Sequence, residues 1–152
     1  MEMYEAVVVG AGPAGCMLAQ TAGKRCNILL VESRDLHVPV EEGREKSCGG
    51  LLNPTAQETL AKLGLALPKE VLESPQVFAI RAIDYDTNQE RYYPKHYINI
   101  NRGAFDRWML SEALISPRVE LCDRTTVVGY TPYTDYVEVT LRGADGVTRQ
   151  IK

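Results

Sequence analysis

The N-terminal part of the chain alternates apolar runs with a glycine-rich segment and a helical pattern. Residues 5–9, EAVVV, have the β-branched character of a fully buried parallel strand, and GAGPAG follows directly at residues 10–15. A helical stretch extends from Pro13 to Ala22, with the proline at the helix start, where its missing N–H leaves no donor unpaired. A second apolar run, residues 27–31, ends at Glu32. We therefore predict a β-α-β unit.

The glycines of this unit suit the binding of a dinucleotide. Gly10 permits a tight strand-to-helix turn, Gly12 lets a pyrophosphate approach the helix N-terminus, and Gly15 allows helix and sheet to pack closely. Glu32 stands at the end of the second strand, where a carboxylate can accept hydrogen bonds from both ribose hydroxyls. Because an acid at this position disfavours a 2′-phosphate, we expect FAD or NAD rather than NADP here.

The segment that follows Glu32 favours FAD over NAD. An NAD domain would continue with further β-α units, whereas residues 33–50 form one long polar segment. Such a length is unusual for a simple connection and indicates a functional role. The charged run at residues 41–46 has two interpretations: a solvated surface loop, which is the usual meaning of such a run, or a contact with the cofactor.

The rest of the pattern predicts further helices and strands. Residues 76–99 suit a hairpin with tyrosines on a covered face, and the region after Pro117 suits one more strand of the nucleotide sheet followed by a hairpin. A helix is predicted from near Pro54, with Asn53 as its N-cap. A second, amphipathic helix is predicted over residues 100–114; its N-cap is Asn101, and one apolar row contains Phe105, Met109 and Ala113. A hairpin turn is predicted at residues 143–146, GADG.

Composition and charge narrow the class of protein. The 152 residues are 45% hydrophobic and 24% charged, which is typical of a globular chain, and no apolar run approaches the ~20 residues of a membrane helix. The net charge of −3 gives no support for nucleic-acid binding. The four cysteines form no CxxC pair and no zinc spacing, so we expect no metal site and a reducing, cytoplasmic setting.

Three segments together resemble the FAD-dependent oxidoreductases of the geranylgeranyl reductase type, within the p-hydroxybenzoate hydroxylase-like flavoproteins. They are GAGPAG with Glu32, KSCGGLLNPTAQETLAKLG at residues 46–64, and INRGAFDRWMLSEAL at residues 100–114. The first segment indicates a dinucleotide only. The arginine-led helix resembles the superfamily, and Cys48-Gly49-Gly50 resembles the reductase branch.

The resemblance assigns roles that the residues alone leave open. By themselves, Gly49 and Gly50 suit a plain turn before a helix, and Arg102 is a cation in a first helical turn that needs an anionic partner. The resemblance implies that Cys48 faces the flavin and the substrate as a catalytic candidate, and that Arg102 contacts FAD. The full predicted cofactor-binding set is Gly10, Gly12, Pro13, Ala14, Gly15, Glu32, Ser33, Arg34, Cys48, Gly49, Gly50, Arg102 and, through its backbone near the adenine, Val127.

We accordingly expect an α/β fold, in which a Rossmann-like FAD-binding domain with a parallel sheet carries part of an inserted antiparallel sheet. Residues 1–75 and 100–152 are predicted to form the FAD/NAD(P)-binding domain, and residues 76–99 to be strands of a substrate-binding domain. The second FAD motif of the superfamily, an apolar strand followed by Gly-Asp, is not found in the sequence. We therefore expect the chain to be the front portion of a larger flavoenzyme and to be inactive alone.

The resemblance implies that NAD(P)H reduces the flavin, which then reduces a carbon–carbon double bond of an isoprenoid. The expected partner is a small prenyl or lipid-like substrate, and regions outside the 152 residues leave room for peripheral membrane association. Two alternatives stay open: a flavin-dependent monooxygenase or halogenase of the same fold, and a nucleotide-binding module without catalysis.

Overall fold

The computed structural model describes residues 1–37 and 48–152 and divides them into two compact units. The first unit contains residues 1–37 and 106–152, and the second contains residues 48–105. In chain order the elements are β1 (Ala6–Val9), α1 (Pro13–Ala22), β2 (Ile28–Val31), β3 (Leu51–Leu52), α2 (Pro54–Lys62), a 3-10 turn (Lys69–Val71), β4 (Val77–Asp84), β5 (Gln89–Asn99), α3 (Arg102–Ala113), β6 (Val119–Cys122), β7 (Thr125–Pro132), β8 (Val137–Gly143) and β9 (Thr148–Ile151).

The first unit contains a parallel sheet with the strand order β1-β2-β6. The predicted β-α-β unit is present, and the strand after Pro117 joins this sheet as expected. The central strand β2 is buried at all four positions, as a parallel strand covered on both faces requires. β1 differs from its predicted full burial: Val8 is buried, but Val9 is 66% exposed, because β1 lies at the edge of the described sheet.

A second sheet in the same unit is antiparallel, with the order β7-β8-β9. Its inward-facing side chains Val139, Leu141 and Ile151 form a hydrophobic cluster with Leu29 and Val31 of β2. The predicted turn at residues 143–146 joins β8 to β9, with the Gly146 amide donating to the Gly143 carbonyl oxygen over 3.0 Å. Gly146 has a φ of +79°, a conformation that glycine adopts without a steric penalty.

The second unit contains the predicted hairpin and the helix before it. β4 and β5 pair in antiparallel register, and β3 adds two residues to the other edge of β5, a strand that the sequence pattern did not predict. α2 begins at Pro54, with the Asn53 side chain accepting a hydrogen bond from the Ala56 amide over 2.8 Å. The hairpin is largely exposed, so its predicted covered face is not formed by the described residues.

Candidate functional site

The strand-to-helix turn of the first unit is built by backbone geometry. Gly10 has a φ of +99°, and its amide donates to the Val31 carbonyl oxygen over 2.7 Å, which ends the ladder between β1 and β2. A Cβ atom at Gly15 would lie 1.9 Å from the Gly10 carbonyl oxygen. Only glycine can therefore stand at position 15 while the helix keeps this distance from the turn.

α1 begins directly after this turn, as predicted. Gly12 is its N-cap, Pro13 occupies the first turn, and the first helical hydrogen bond runs from the Cys16 amide to the Gly12 carbonyl oxygen over 2.9 Å. No acidic side chain lies in the first turn. The positive end of the helix dipole at Gly12 and Ala14 is thus not neutralised by the helix itself, which suits an anionic ligand.

Glu32 lies at the end of β2 and holds the glycine-rich turn. Its carboxylate is buried, and its Oε2 accepts a hydrogen bond from the Ala11 amide over 2.9 Å. The amide of Thr125 donates to the Glu32 carbonyl oxygen over 2.9 Å, which also fixes the backbone of this residue. The residue predicted to bind ribose is therefore anchored beside the residues predicted to bind pyrophosphate.

The other hydrogen-bond donors to Glu32 come from the two residues that follow it. The Arg34 amide and Nε each donate to Oε1 over 3.0 Å, the Arg34 Nη2 donates to Oε2 over 3.1 Å, and the Ser33 hydroxyl donates to Oε1 over 3.3 Å. Burial by itself would raise the pKa of Glu32. The hydrogen bonds from Arg34 and Ala11, with the charge of Arg34, outweigh burial and lower the pKa to about 2. Glu32 is thus ionised throughout the physiological range.

The backbone of the segment after Glu32 is tied to the β6–β7 connection. The Arg124 amide donates to the Arg34 carbonyl oxygen over 3.1 Å, and the Leu36 amide donates to the Asp123 carboxylate over 3.2 Å. Ser33 and Arg34 therefore have defined positions beside Glu32. The charged run at residues 41–46, for which cofactor contact was one of two interpretations, lies outside the described residues.

The second unit brings together the other two predicted groups. Arg102 Nη1 donates to the Cys48 Sγ over 3.4 Å, and the Cys48 side chain is exposed. Gly50 has a φ of +64°, and a Cβ atom there would lie 2.4 Å from the Ile100 carbonyl oxygen. Among the described residues, no atom lies within 4 Å of the corresponding position on Gly49, so this side of the Gly49 backbone is sterically open.

Arg102 owes its position to the start of α3. The Asn101 side chain accepts a hydrogen bond from the Ala104 amide over 2.9 Å, which is the predicted N-cap, and Arg102 is the first residue of the helix. The apolar row predicted for this helix is buried, with Phe105, Met109 and Ala113 exposed by 5% or less. The arginine therefore stands at a fixed helix terminus.

Val127 is a different kind of candidate. It lies in β7 opposite Leu141, and its side chain packs against the hydrophobic cluster of the first unit. Only its backbone is therefore suited to the adenine contact that the resemblance implies. Within residues 1–37 and 48–152, no group of three or more His, Cys, Asp or Glu side chains could hold a metal ion.

Sequence reasoning missed two contacts inside the candidate site. Arg34 was a cofactor candidate, but its bidentate hydrogen bonds to Glu32 were not foreseen, although an arginine two residues after a strand-end carboxylate is a visible signal. Cys48 and Arg102 were proposed separately, and the structure joins them across 54 positions in sequence. Such a long-range pairing has no local sequence signal.

The curated relatives that the chain matches in sequence are much longer than the chain. No known family model matches the chain. The chain is 40% identical over 121 residues to protein CbrA of Escherichia coli K12, an alignment that covers 80% of this chain and 33% of the relative. The chain therefore spans about one third of the length of the curated relatives it matches.

Two solved structures are similar along nearly the whole chain. A geranylgeranyl bacteriochlorophyll reductase-like protein from Thermoplasma acidophilum superimposes with a TM-score of 0.80 at 19% identity, covering 100% of this chain and 38% of that one. The myxobacterial FAD-dependent halogenase CndH superimposes with a TM-score of 0.75 at 20% identity, covering 99% of this chain and 36% of that one. The chain thus has the Rossmann-type α/β fold of FAD-binding flavoprotein domains, as predicted.

Proposed function

We propose that this chain is the FAD-binding portion of a flavin-dependent oxidoreductase. One observation carries the proposal: the ionised Glu32 at the end of β2 is held 2.9 Å from the Ala11 amide, within the glycine-rich turn that opens α1. This arrangement presents a ribose acceptor and a helix N-terminus side by side. Both are required to bind the adenosine diphosphate half of FAD.

The residues of the first unit fit that half of the cofactor. The amides at the start of α1 would hold the pyrophosphate, because the helix dipole is positive there and Gly12 has no side chain to obstruct it. The Glu32 carboxylate would accept hydrogen bonds from the ribose hydroxyls. Val127 would contribute backbone contacts to the adenine.

The residues of the second unit would serve the flavin half. Cys48 and Gly49 are exposed, Gly50 forms a buried turn with a φ of +64°, and the Arg102 guanidinium adds a positive charge. When bound, FAD supplies hydride and electron transfer, chemistry that the side chains of this chain cannot perform. The chain's own part is to bind the cofactor, orient it and set the charge around it.

For the reaction, we propose reduction of a carbon–carbon double bond in a prenyl-type substrate, with NAD(P)H as the electron donor. The CysGlyGly segment supports this class, and so does the similarity to the Thermoplasma reductase-like protein. A flavin-dependent halogenase is the second candidate, because CndH superimposes on 99% of the chain. The described helices include none that is long and apolar enough to cross a membrane.

The cofactor is tested by the absorption spectrum of the purified full-length protein and by titration with FAD. We expect the protein to bind FAD, and Glu32→Ala to weaken binding about 10- to 100-fold, because charge-assisted hydrogen bonds worth about 1.5–3 kcal/mol are lost. The matched control is Glu73→Ala, an exposed glutamate in the second unit, which should leave affinity unchanged. A protein that never binds FAD would refute the proposal.

The reaction class is tested on the purified full-length protein with a prenyl substrate and NADPH, first without and then with oxygen and halide. Mass spectrometry of the product distinguishes the candidates, since a gain of two hydrogens indicates the reductase and a gain of halogen or oxygen indicates the other class. Cys48→Ala should leave FAD bound and change turnover or product selectivity. Wild-type kinetics in this variant would exclude a chemical role for the thiol.

A further inference from the structure

The Arg34 guanidinium occupies an acceptor position on each carboxylate oxygen of Glu32. A carboxylate offers about four lone-pair sites, two on each oxygen. The backbone amides of Ala11 and Arg34 take one site on Oε2 and one on Oε1. The Arg34 guanidinium then takes the second site on each oxygen, through Nη2 and Nε, at 3.1 Å and 3.0 Å.

We propose that the Arg34 side chain is an internal occupant of the ribose site, which a nucleotide must displace in order to bind. This inference rests on the proposed function, since it concerns the same carboxylate. The two hydroxyls of a ribose need one acceptor site on each oxygen, and these are the two sites that the guanidinium fills. Arg34 thereby sets the affinity of the site and its selectivity for an intact ribose diol.

The geometry allows the guanidinium to leave while Glu32 stays in place. The Arg34 side chain is 39% exposed, whereas the Glu32 side chain is 7% exposed. The Arg34 backbone is held independently, because its amide donates to Glu32 and its carbonyl oxygen accepts from the Arg124 amide over 3.1 Å. A rotation of the arginine side chain therefore vacates one acceptor position on each oxygen, and the ionised carboxylate remains oriented by its two amide donors and the Ser33 hydroxyl.

When ribose hydroxyls displace the Arg34 guanidinium, the buried Glu32 carboxylate keeps its number of hydrogen-bond donors. An ionised group in a buried site is costly without partners, and the guanidinium supplies two when no ligand is bound. The ribose hydroxyls then replace these two hydrogen bonds one for one. The Ser33 hydroxyl, at 3.3 Å, is the longest of the contacts to Glu32, and it already donates to Oε1 before any exchange.

The first test follows the Arg34 guanidinium directly by NMR. The Nε–H resonance, assigned by its loss in Arg34→Met, should be protected from exchange with water in the free protein. Saturation with ADP should shift this resonance and remove its protection, while 2′,3′-dideoxy-ADP, which has no ribose hydroxyls, should leave it protected. If ADP shifts the amides of Gly12 and Ala14 but leaves the Arg34 resonance unchanged, the inference is overturned.

The second test measures affinity. Arg34→Met should bind ADP at least threefold more tightly than the wild type and should discriminate more strongly against the dideoxy analogue, because the competing donor is gone. Arg34→Lys, which has a single donor group and keeps the charge, should fall between the two. Arg142→Met, a change at an exposed arginine of the same unit, is the matched control and should match the wild type.

The outcomes separate this inference from the proposed function. If folded Arg34→Met and Arg34→Lys, checked by circular dichroism, bind ADP as weakly as the wild type or more weakly, the guanidinium is not a competing occupant and the inference fails. The proposed function then stands, provided that wild-type protein binds FAD. If neither ADP nor FAD perturbs the amides of the glycine-rich turn in any variant, the proposed function itself fails.

Discussion

The central strand β2 and the hairpin β4–β5 are both rich in apolar residues, but the fold buries them to opposite extents. All four residues of β2 are buried between a helix and a second sheet. In the hairpin, Phe78 and Tyr92 are 67% and 66% exposed. The comparison shows that apolar content does not decide what becomes core. Burial depends on whether neighbouring elements of the same compact unit cover the strand.

The largest expected effect tests the close packing that covers the parallel sheet. Gly15→Ala should destabilise the protein by about 4 kcal/mol or more, because the new Cβ would lie 1.9 Å from a backbone oxygen that cannot move aside cheaply. Gly49→Ala, where the Cβ would meet open space, should change stability by less than about 0.5 kcal/mol. Urea denaturation measures the free energy of unfolding of both variants. Equal losses of stability would show that the turn at Gly10 moves away from the new Cβ without cost.

A second pair of substitutions compares the two regions directly. Leu29→Ala removes a fully buried side chain from β2 and should cost about 2–5 kcal/mol. Tyr92→Ala removes a larger but 66% exposed side chain from the hairpin and should cost less than about 1 kcal/mol. Thermal and urea unfolding provide the measurement. A large cost for Tyr92→Ala would mean that the hairpin is covered in solution.

The smallest effect concerns the charge at the candidate site and depends on pH. The pKa of Glu32 is lowered from 4.5 to about 2, so its ionised form stabilises the fold at pH above 4.5, and that contribution is lost as the pH falls through 2. Glu32→Gln should therefore cost about 1–3 kcal/mol at pH 7 and progressively less as the pH approaches 2.

The control for this measurement is Glu58→Gln. Glu58 forms an exposed pair with Lys62 on one face of α2 and should contribute less than about 0.5 kcal/mol at any pH. Urea unfolding of both variants from pH 7 to pH 2.5 provides the data. A constant cost of Glu32→Gln across this range would show that the low pKa does not contribute to folding.

Much of the first unit could be predicted from the sequence because its signals are local. The glycine turn, the proline at the start of α1 and the bounds Pro13–Ala22 follow from residues adjacent in the chain. The same holds for the caps Asn53 and Asn101, since each side chain bonds an amide three residues later. These features need no knowledge of the tertiary structure.

The parts that could not be predicted depend on contacts between distant residues. The exposure of Val9 reflects the order of strands in the sheet, which the composition of β1 does not contain. The two-residue strand β3 is too short to produce a pattern and exists only because β5 pairs with it. The contact of Arg102 with Cys48 likewise requires the fold of the second unit.

The two ends of the chain are hydrogen-bonded to each other. The Lys152 amide donates to the Glu2 carbonyl oxygen over 3.0 Å, and the Tyr4 amide donates to the Lys152 carbonyl oxygen over 2.8 Å. Along the sequence, the second unit stands between the two segments that form the first unit. Energy transfer between dyes on the two ends would thus report the opening of the first unit.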